Sequence, residues 1–511
     1  MSLVDRATGD ARIDRTMTRQ TEGLAPMRDP DDDAPRLECG VFGVFGAPDA
    51  AGVVALGLHA LQHRGQEACG IAAFDGQGFH TERHMGLVAD AFNGPDLVGR
   101  LPGNAAIGHT RYSTAGASVL RNVQPMFADL EAGGLALAHN GNLTNFLTLR
   151  ERLVSEGHIF QSTSDSEVII HLIAVSRKAR FIDRFIDALA QIEGGYALVA
   201  LTNKKMIGAR DPLGIRPLVL GDLGGKPILA SETRALDMVG AQFVRDIEHG
   251  EIVVISADGI ESLKPFPAAK ARPCVFEYVY FAMPDSVVNG RSVYEVRKRL
   301  GRRLAEESLV PADVVVPVPD SGVPAALGFA QAAGLPFEMG IIRNHYAGRT
   351  FIKPRQGERE LGVRMKLSPN RSVLAGKRVI LIDDSIVRGT NSVRVVQMVR
   401  EAGAREVHLR SASPAIKYPD FYGIDMPDRD KLIAANMSLP QMAEHLGVDS
   451  VAYLSVDGLY WAMGAGPRDP HCPQFTDHYF TGDYPTRLLD REIAEGRNEQ
   501  VERQLSFLVD A

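Results

Sequence analysis

Two short stretches of this 511-residue chain gather side chains that could do chemistry. In RLECGVFGVFG, residues 36–46, Cys39 stands before Gly40 and a short apolar run. A cysteine made N-terminal by processing has its own α-amine beside it. That amine has a pKa near ~8 and can take the thiol proton without a separate histidine. Gly40, as a small neighbour, leaves the sulfur open to a substrate. In VILIDDSIVRGTNS, residues 379–392, four apolar residues read as a buried parallel strand. The pair Asp383–Asp384 sits at its carboxyl end, where open α/β sheets put their ligands. The loop Ser385, Ile386, Val387, Arg388, Gly389, Thr390 then enters a helix whose free N–H groups favour a phosphate. Gly389 permits close backbone approach, and Ser385 and Thr390 offer hydroxyls. A carboxylate pair beside such a cradle suits a diol or a hydrated Mg2+.

These residues need elements to position them. From Cys39 to about residue 265 the pattern is β-rich: GVFGVFG, GIAAFD, AAIGHTRYS, LALAHNG, YALVALTN, KMIGAR, PILAS and GEIVVIS are short strand candidates bounded by turns. Apolar residues recurring at three and four predict helices over VVALGLHALQHRG, NLTNFLTLRERLVSEG and SDSEVIIHLIAVSRKARFIDRFIDALAQI. Layered sheets with helices follow. From about 271 to 475 the order is helix, strand (ADVVVPVP), turn (PDSG), helix, a long basic segment, strand (KRVILIDDS), loop, helix and strand (REVHLRSAS). That order predicts a parallel α/β sheet. Residues 476–511 read as a C-terminal helical extension, and residues 1–38, with DPDDDAP and no apolar periodicity, as a disordered leader.

Composition narrows the classes. The chain is 45% hydrophobic and 23% charged, and nothing in it approaches the apolar length of a membrane span. A net charge of −7 argues against bulk nucleic-acid binding. Four widely spaced cysteines fit a reducing cytoplasm better than a disulfide framework.

The 379–392 stretch resembles the phosphoribosyl-pyrophosphate (PRPP) signature of type I phosphoribosyltransferases. The resemblance implies that Asp383 and Asp384 meet the ribose hydroxyls and a Mg2+ ion, while Ser385 to Thr390 hold the 5′-phosphate. PVPDSG (317–322) falls where such enzymes place a pyrophosphate turn, with Ser321 on the metal side. The segment 343–366 holds seven Arg or Lys against two Glu and resembles a flexible PRPP-site loop, which makes Arg343, Arg349, Arg364 and Lys366 candidate clamps. In the first half CGVFG, HRGQE, HTRYST, HNGNLTN and STSDSE, in this order, resemble class II glutamine amidotransferases, the N-terminal-nucleophile glutaminases. By that resemblance Cys39 is the nucleophile and Arg111 binds the glutamine α-carboxylate. Asp165 holds the α-amine, Asn140 and the Gly141 N–H form the oxyanion hole, and Arg64 is a further glutamine contact.

Together the halves resemble the glutamine PRPP amidotransferase family. The resemblance implies an α+β glutaminase domain over 39–270 and a phosphoribosyltransferase domain over 271–475, after a propeptide cleaved before Cys39. Glutamine and PRPP are then the substrates, with ammonia passed between two sites. It also implies a homotetramer inhibited by purine nucleotides. A branch of this family carries a 4Fe–4S cluster on four cysteines. Here Cys274 and Cys472 fall at ligand positions, but Asp420 and Phe475 stand at the other two. Two thiols do not make the four-thiolate set, so no cluster is expected.

Overall fold

The computed structural model describes residues 39–495 apart from 93, 95, 96, 113–118, 345–366 and 427. The leader, the expected clamps Arg349, Arg364 and Lys366, and the helix expected beyond 495 lie outside the described residues.

In the first half the principal elements are β1 Gly40–Phe45, α1 Ala50–Ala60, β2 Ala68–Phe74, β3 Phe79–Met85, β4 Ala105–Arg111, β5 Met126–Leu130 and β6 Gly133–Leu143. There follow α2 Phe146–Ser155, α3 Ser166–Val175, α4 Phe181–Leu189, β7 Gly194–Thr202, β8 Lys205–Arg210, β9 Val219–Asp222, β10 Pro227–Ala230, β11 Gln242–Asp246, β12 Ile252–Ser256 and β13 Gly259–Leu263. They form two antiparallel sheets, β11-β9-β10-β1-β4-β2-β3 and β13-β12-β8-β7-β6-β5. Side chains alternate across a strand, so each sheet has two buried faces. Val41, Ile107, Ala136, Ala138, Ala197 and Val199 fill the space between the sheets. Phe42 and Val44 pack outward with Val54 and Leu58 of α1, whereas Leu135, Leu137 and Leu198 pack against α3 and α4. The result is a helix–sheet–sheet–helix stack.

The second half supplies α5 Val293–Ser308, β14 Val314–Pro317, α6 Val323–Ala333, β15 Arg378–Asp383, α7 Thr390–Glu401, β16 Glu406–Ser411 and β17 Ser450–Tyr453. The four strands are parallel in the order β14-β15-β16-β17. β15 is buried at Val379, Ile380, Leu381 and Ile382, as a continuous apolar run demands when both faces are covered.

Three expectations are corrected. The expected helix over 142–157 begins only at Phe146, because β6 runs on through Leu143 and stays paired with β7. The expected helix over 164–192 is two helices, broken between Val175 and Phe181 at the basic SRKAR run, where Ser176 is buried against Asp187 and residues 177–180 are exposed. β3 has no counterpart among the expected strands: FHTERHM is a half-solvated strand with few apolar side chains.

Candidate functional site

Strand parity places the first set of residues. Cys39 shares its side of the chain with Val41, Arg111 and His109 with Ile107, and Asn140 with Ala138; Val41, Ile107 and Ala138 all point into the gap between the sheets. β1 lies beside β4 with Gly40 opposite Thr110, which brings Cys39 beside Arg111. The Cys39 thiol donates to the Tyr112 carbonyl at 3.4 Å. Burial pushes its pKa up to about 11. Arg111 pulls the other way, and Asp165 and Glu67 push it up further. Burial thus favours the thiol over the thiolate.

The two histidines of the motifs, His109 on β4 and His139 on β6, are weak bases. His109 is fully buried, its pKa lowered to about 3 chiefly by desolvation, and its Nε2 is committed to the His139 carbonyl at 3.0 Å. His139 is also lowered by burial, against the pull of Asp165. Both are neutral structural groups.

Asn140 is completely buried, and neither its amide nitrogen nor its amide oxygen has a hydrogen-bond partner among the described residues. A side-chain amide in that condition costs on the order of 1–3 kcal/mol unless a ligand satisfies it. Gly141 follows with φ of +141°, and a Cβ there would collide with the Gly195 carbonyl. Only glycine fits, and the Asn-Gly pair, so suggestive of a hairpin turn, lies inside a strand. Asp165 is buried and accepts from the Leu143 N–H at 3.1 Å and from the Ser166 hydroxyl at 3.2 Å.

Arg64 is placed differently from expectation. It is fully buried, its guanidinium gripped by Glu232 and Glu277. Burial opposes its charge, and the two carboxylates outweigh that and raise its pKa. Its head is spent on an internal ion cluster rather than turned to a substrate.

The second set sits at the carboxyl end of β15. Asp384 is buried and accepts from the hydroxyls of Ser321 and, at 2.8 Å, Ser385; Asp383 accepts from the Asp384 N–H at 3.0 Å. Burial raises the Asp384 pKa, against the pull of those hydroxyls and of Arg297. Ile386 and Val387 are buried anchors of the loop. Gly389, left-handed at φ +84°, caps α7 at Thr390, and Arg388 lies in the turn before it. Ser321 and Asp384 thus join two turns 63 residues apart into one cradle. Arg343 is exposed and paired with Asp320 of the same turn.

The positions of the family's cluster ligands are engaged otherwise. Cys274 is buried with its sulfur 3.2 Å from the Tyr479 hydroxyl, and Cys472 is exposed and receives the Lys270 ammonium at 2.9 Å. Asp420 accepts from the Tyr422 and Ile424 N–H groups at 2.9 and 2.7 Å and lies 3.0 Å from His478 Nε2. Phe475 offers no donor atom.

The sets meet at Asn142 and Gly141 of the HNGNLTN motif and at Arg216, which no motif singled out. Asn142 donates to the Phe421 carbonyl at 2.9 Å, and Arg216 donates to the Tyr422 carbonyl at 3.0 Å from Nε. Gly423 packs on Gly141: a Cβ on Gly423 would lie 3.0 Å from the Gly141 carbonyl carbon. The FYG turn of the second half therefore backs the Asn140–Gly141 strand. The only signal in the sequence was a Gly/Pro-rich DPLGIRP run between strands, with one Asp and one Arg to bury.

A model of the glutamine amidotransferase domain matches residues 109–238. The amidophosphoribosyltransferase of Rhizobium etli is 61% identical over 490 residues, covering 94% of this chain and 98% of that one. The amidophosphoribosyltransferase of Bacillus subtilis is 47% identical over 465 residues, covering 91% and 97%. The solved glutamine PRPP amidotransferase from B. subtilis complexed with ADP and GMP superposes with a TM-score of 0.83 at 46% identity, covering 88% of this chain and 98% of that one. A structure described as the allosteric regulatory enzyme of purine biosynthesis gives 0.84 at 46%, covering 88% and 97%.

Proposed function

The chain belongs to the amidophosphoribosyltransferase family, which uses glutamine and PRPP to make 5-phosphoribosylamine in the first step of purine biosynthesis, and from that premise we propose how its residues divide the work. Cys39 attacks the glutamine amide. Because its thiol holds its proton and burial leaves His109 and His139 weak bases, the base is the α-amine that cleavage before Cys39 would free. Arg111 matches the substrate carboxylate with a planar fork, and Asp165 matches the ammonium. The Asn140 amide and the Gly141 N–H take the oxyanion. The observation that carries this reading is the buried Asn140 amide with no partner among the described residues.

At the other site Ser385 to Thr390 hold the 5′-phosphate and the carboxylates of Asp383 and Asp384 face the ribose. Two carboxylates with hydroxyl neighbours are oxygen donors of the kind Mg2+ takes, alongside waters and substrate oxygens. Among the described residues no group of three or more His, Cys, Asp or Glu is gathered as for a metal. Asp383 and Asp384 would hold it with Ser321 beside them, and bound Mg2+ would neutralise charge on the pyrophosphate leaving group. The iron–sulfur cluster does not fit: the donor set at its positions is two thiols in different surroundings, one carboxylate already bonded, and a phenyl ring. Ammonia would pass from Asn140–Gly141 across the FYG turn, where the two halves touch.

Purine nucleotides as feedback ligands are proposed from the ADP and GMP of the B. subtilis complex, and a homotetramer from the family resemblance. No helix among the described residues is long and apolar enough to cross a membrane; a cytoplasmic site of action is proposed from the bacterial relatives.

The test is PRPP-dependent glutamate release by the mature protein and by Cys39→Ala. Loss of glutamine-dependent turnover with ammonia-dependent turnover retained supports the assignment. Unchanged glutamate release ends it.

A further inference from the structure

β5 stops at Met126, opposite Leu137, yet β6 runs six residues further. Beyond that stop, the main-chain groups of His139, which immediately precedes Asn140, have lost their ladder neighbour. Buried main-chain groups need partners, and here side chains provide them. The His139 N–H donates to Gln124 Oε1 at 2.7 Å, and the His139 carbonyl is met by His109 Nε2 at 3.0 Å.

Gln124 does a second job with its other end. Its amide nitrogen donates to the Ser166 hydroxyl at 3.0 Å, and that hydroxyl bonds Asp165 Oδ1 at 3.2 Å and lies 3.0 Å from His139 Nδ1. Two residues earlier, Asn122 makes a reciprocal pair with Thr163, accepting its N–H at 2.9 Å and donating to its hydroxyl at 2.8 Å. The segment itself is wedged against the other sheet, since a Cβ on Gly70 of β2 would strike the Gln124 carbonyl. Gln124, Ser166 and His139 are all buried.

We propose that Gln124 is a positioning residue for glutamine hydrolysis, a two-ended bracket that sets the spacing between the oxyanion strand at His139–Gly141 and the α-amine carboxylate Asp165. This rests on the roles given above to Asn140, Gly141 and Asp165. Glutamine is held at its α-carbon by one of these elements, and its amide must polarise at the other. A bracket of fixed length makes the two ends of one substrate agree. His109 completes the bracket from the Arg111 strand, so all three substrate contacts are referred to the backbone of one residue, His139. His109 donates there as a neutral Nε2–H ring.

The test uses the mature, cleaved enzyme with Gln124→Met, which keeps the side-chain length and removes both hydrogen bonds. A misplacement of this kind costs about a hundredfold, expected in glutamine-dependent kcat with a smaller change in glutamine KM. Ammonia-dependent turnover of PRPP reports on the second site and should hold, while the melting temperature should fall by only a few degrees, the cost of leaving the His139 N–H unpaired. Labelling of Cys39 by a diazoketone analogue of glutamine, which needs both ends of the site, should slow in proportion to kcat. Labelling by iodoacetamide, which needs only the sulfur, should stay within about twofold. Ser166→Ala removes the far end of the bracket and should repeat the pattern, which keeps the test open should Gln124→Met fail to fold. Glutamine turnover within about threefold of wild type in a folded variant would overturn the proposal, as would both reagents slowing together. Absence of diazoketone labelling at Cys39 in the wild type is a different result and would overturn the nucleophile assignment itself.

Discussion

Asn140 and His109 differ in what a change at each would reveal. Asn140→Leu keeps the buried volume and removes the amide. Glutamine-dependent kcat should fall by about 10²–10³, the usual cost of one oxyanion donor, while ammonia-dependent turnover survives. Steady-state assays with the two nitrogen sources side by side check this. His109 bears on stability. Its folded pKa of about 3 lies below its ordinary 6.5, so between those values the unfolded chain binds a proton that the native one refuses. Native stability is therefore unaffected by this group above neutrality and declines as pH falls from 6.5 towards 3, by about 2 kcal/mol at pH 5. Urea unfolding at pH 7.5 and pH 5 should show the loss, and His109→Gln should flatten it. Cys39, the Asp pair and the glutamine motifs stood out in the sequence by residue type and spacing, and the structure brings Cys39 beside Arg111 and Ser321 beside Asp384. Gln124 did not stand out, since its meaning depends on where β5 happens to stop.

Among the elements, the apolar run of β15 and its Asp-rich end were the clearest in the sequence, because a parallel strand covered on both faces is apolar throughout. β6 was harder. Its continuation through Gly141 depends on pairing with β7 more than fifty residues downstream, which local pattern does not carry. The two helices α3 and α4 read as one because periodicity persists through a break set by tertiary packing. At the head of α7, Gly389 is left-handed, and a Cβ there would press on Ile433 Cδ1 at 2.9 Å and Leu446 Cδ2 at 3.0 Å. Gly389→Ala should cost about 1–2 kcal/mol of local conformational energy and displace the phosphate loop. PRPP KM should rise, read from ammonia-dependent initial rates, while iodoacetamide labelling of Cys39 is unchanged.

At the scale of the molecule, the halves are joined by buried charge. Arg64 is shared by Glu232 of the first half and Glu277 of the second, and Glu232 is held well below the usual carboxylate range, burial being outweighed by His63 and Arg64. Arg64→Met strands two buried carboxylates. It should destabilise the fold by about 3–5 kcal/mol, seen as an early transition in thermal melts that abolishes glutamine- and ammonia-dependent activity together. The sequence announced two halves but not their seam, because the pairing partners are separated by some two hundred positions and a lone buried Arg or Glu has no local signature.

The amino end of α2 lies just beyond β6, and it is finished by residues from much later in the chain. Asp490 accepts from the Leu147 and Thr148 N–H groups at 2.8 and 2.9 Å, and the Thr144 hydroxyl donates to the Arg487 carbonyl at 3.0 Å. A ribosome makes residue 148 long before residue 490. The first half can thus be synthesised in full and still lack the cap on the helix that follows β6. The start of α2 is finished only when residues more than three hundred positions later have folded back onto it.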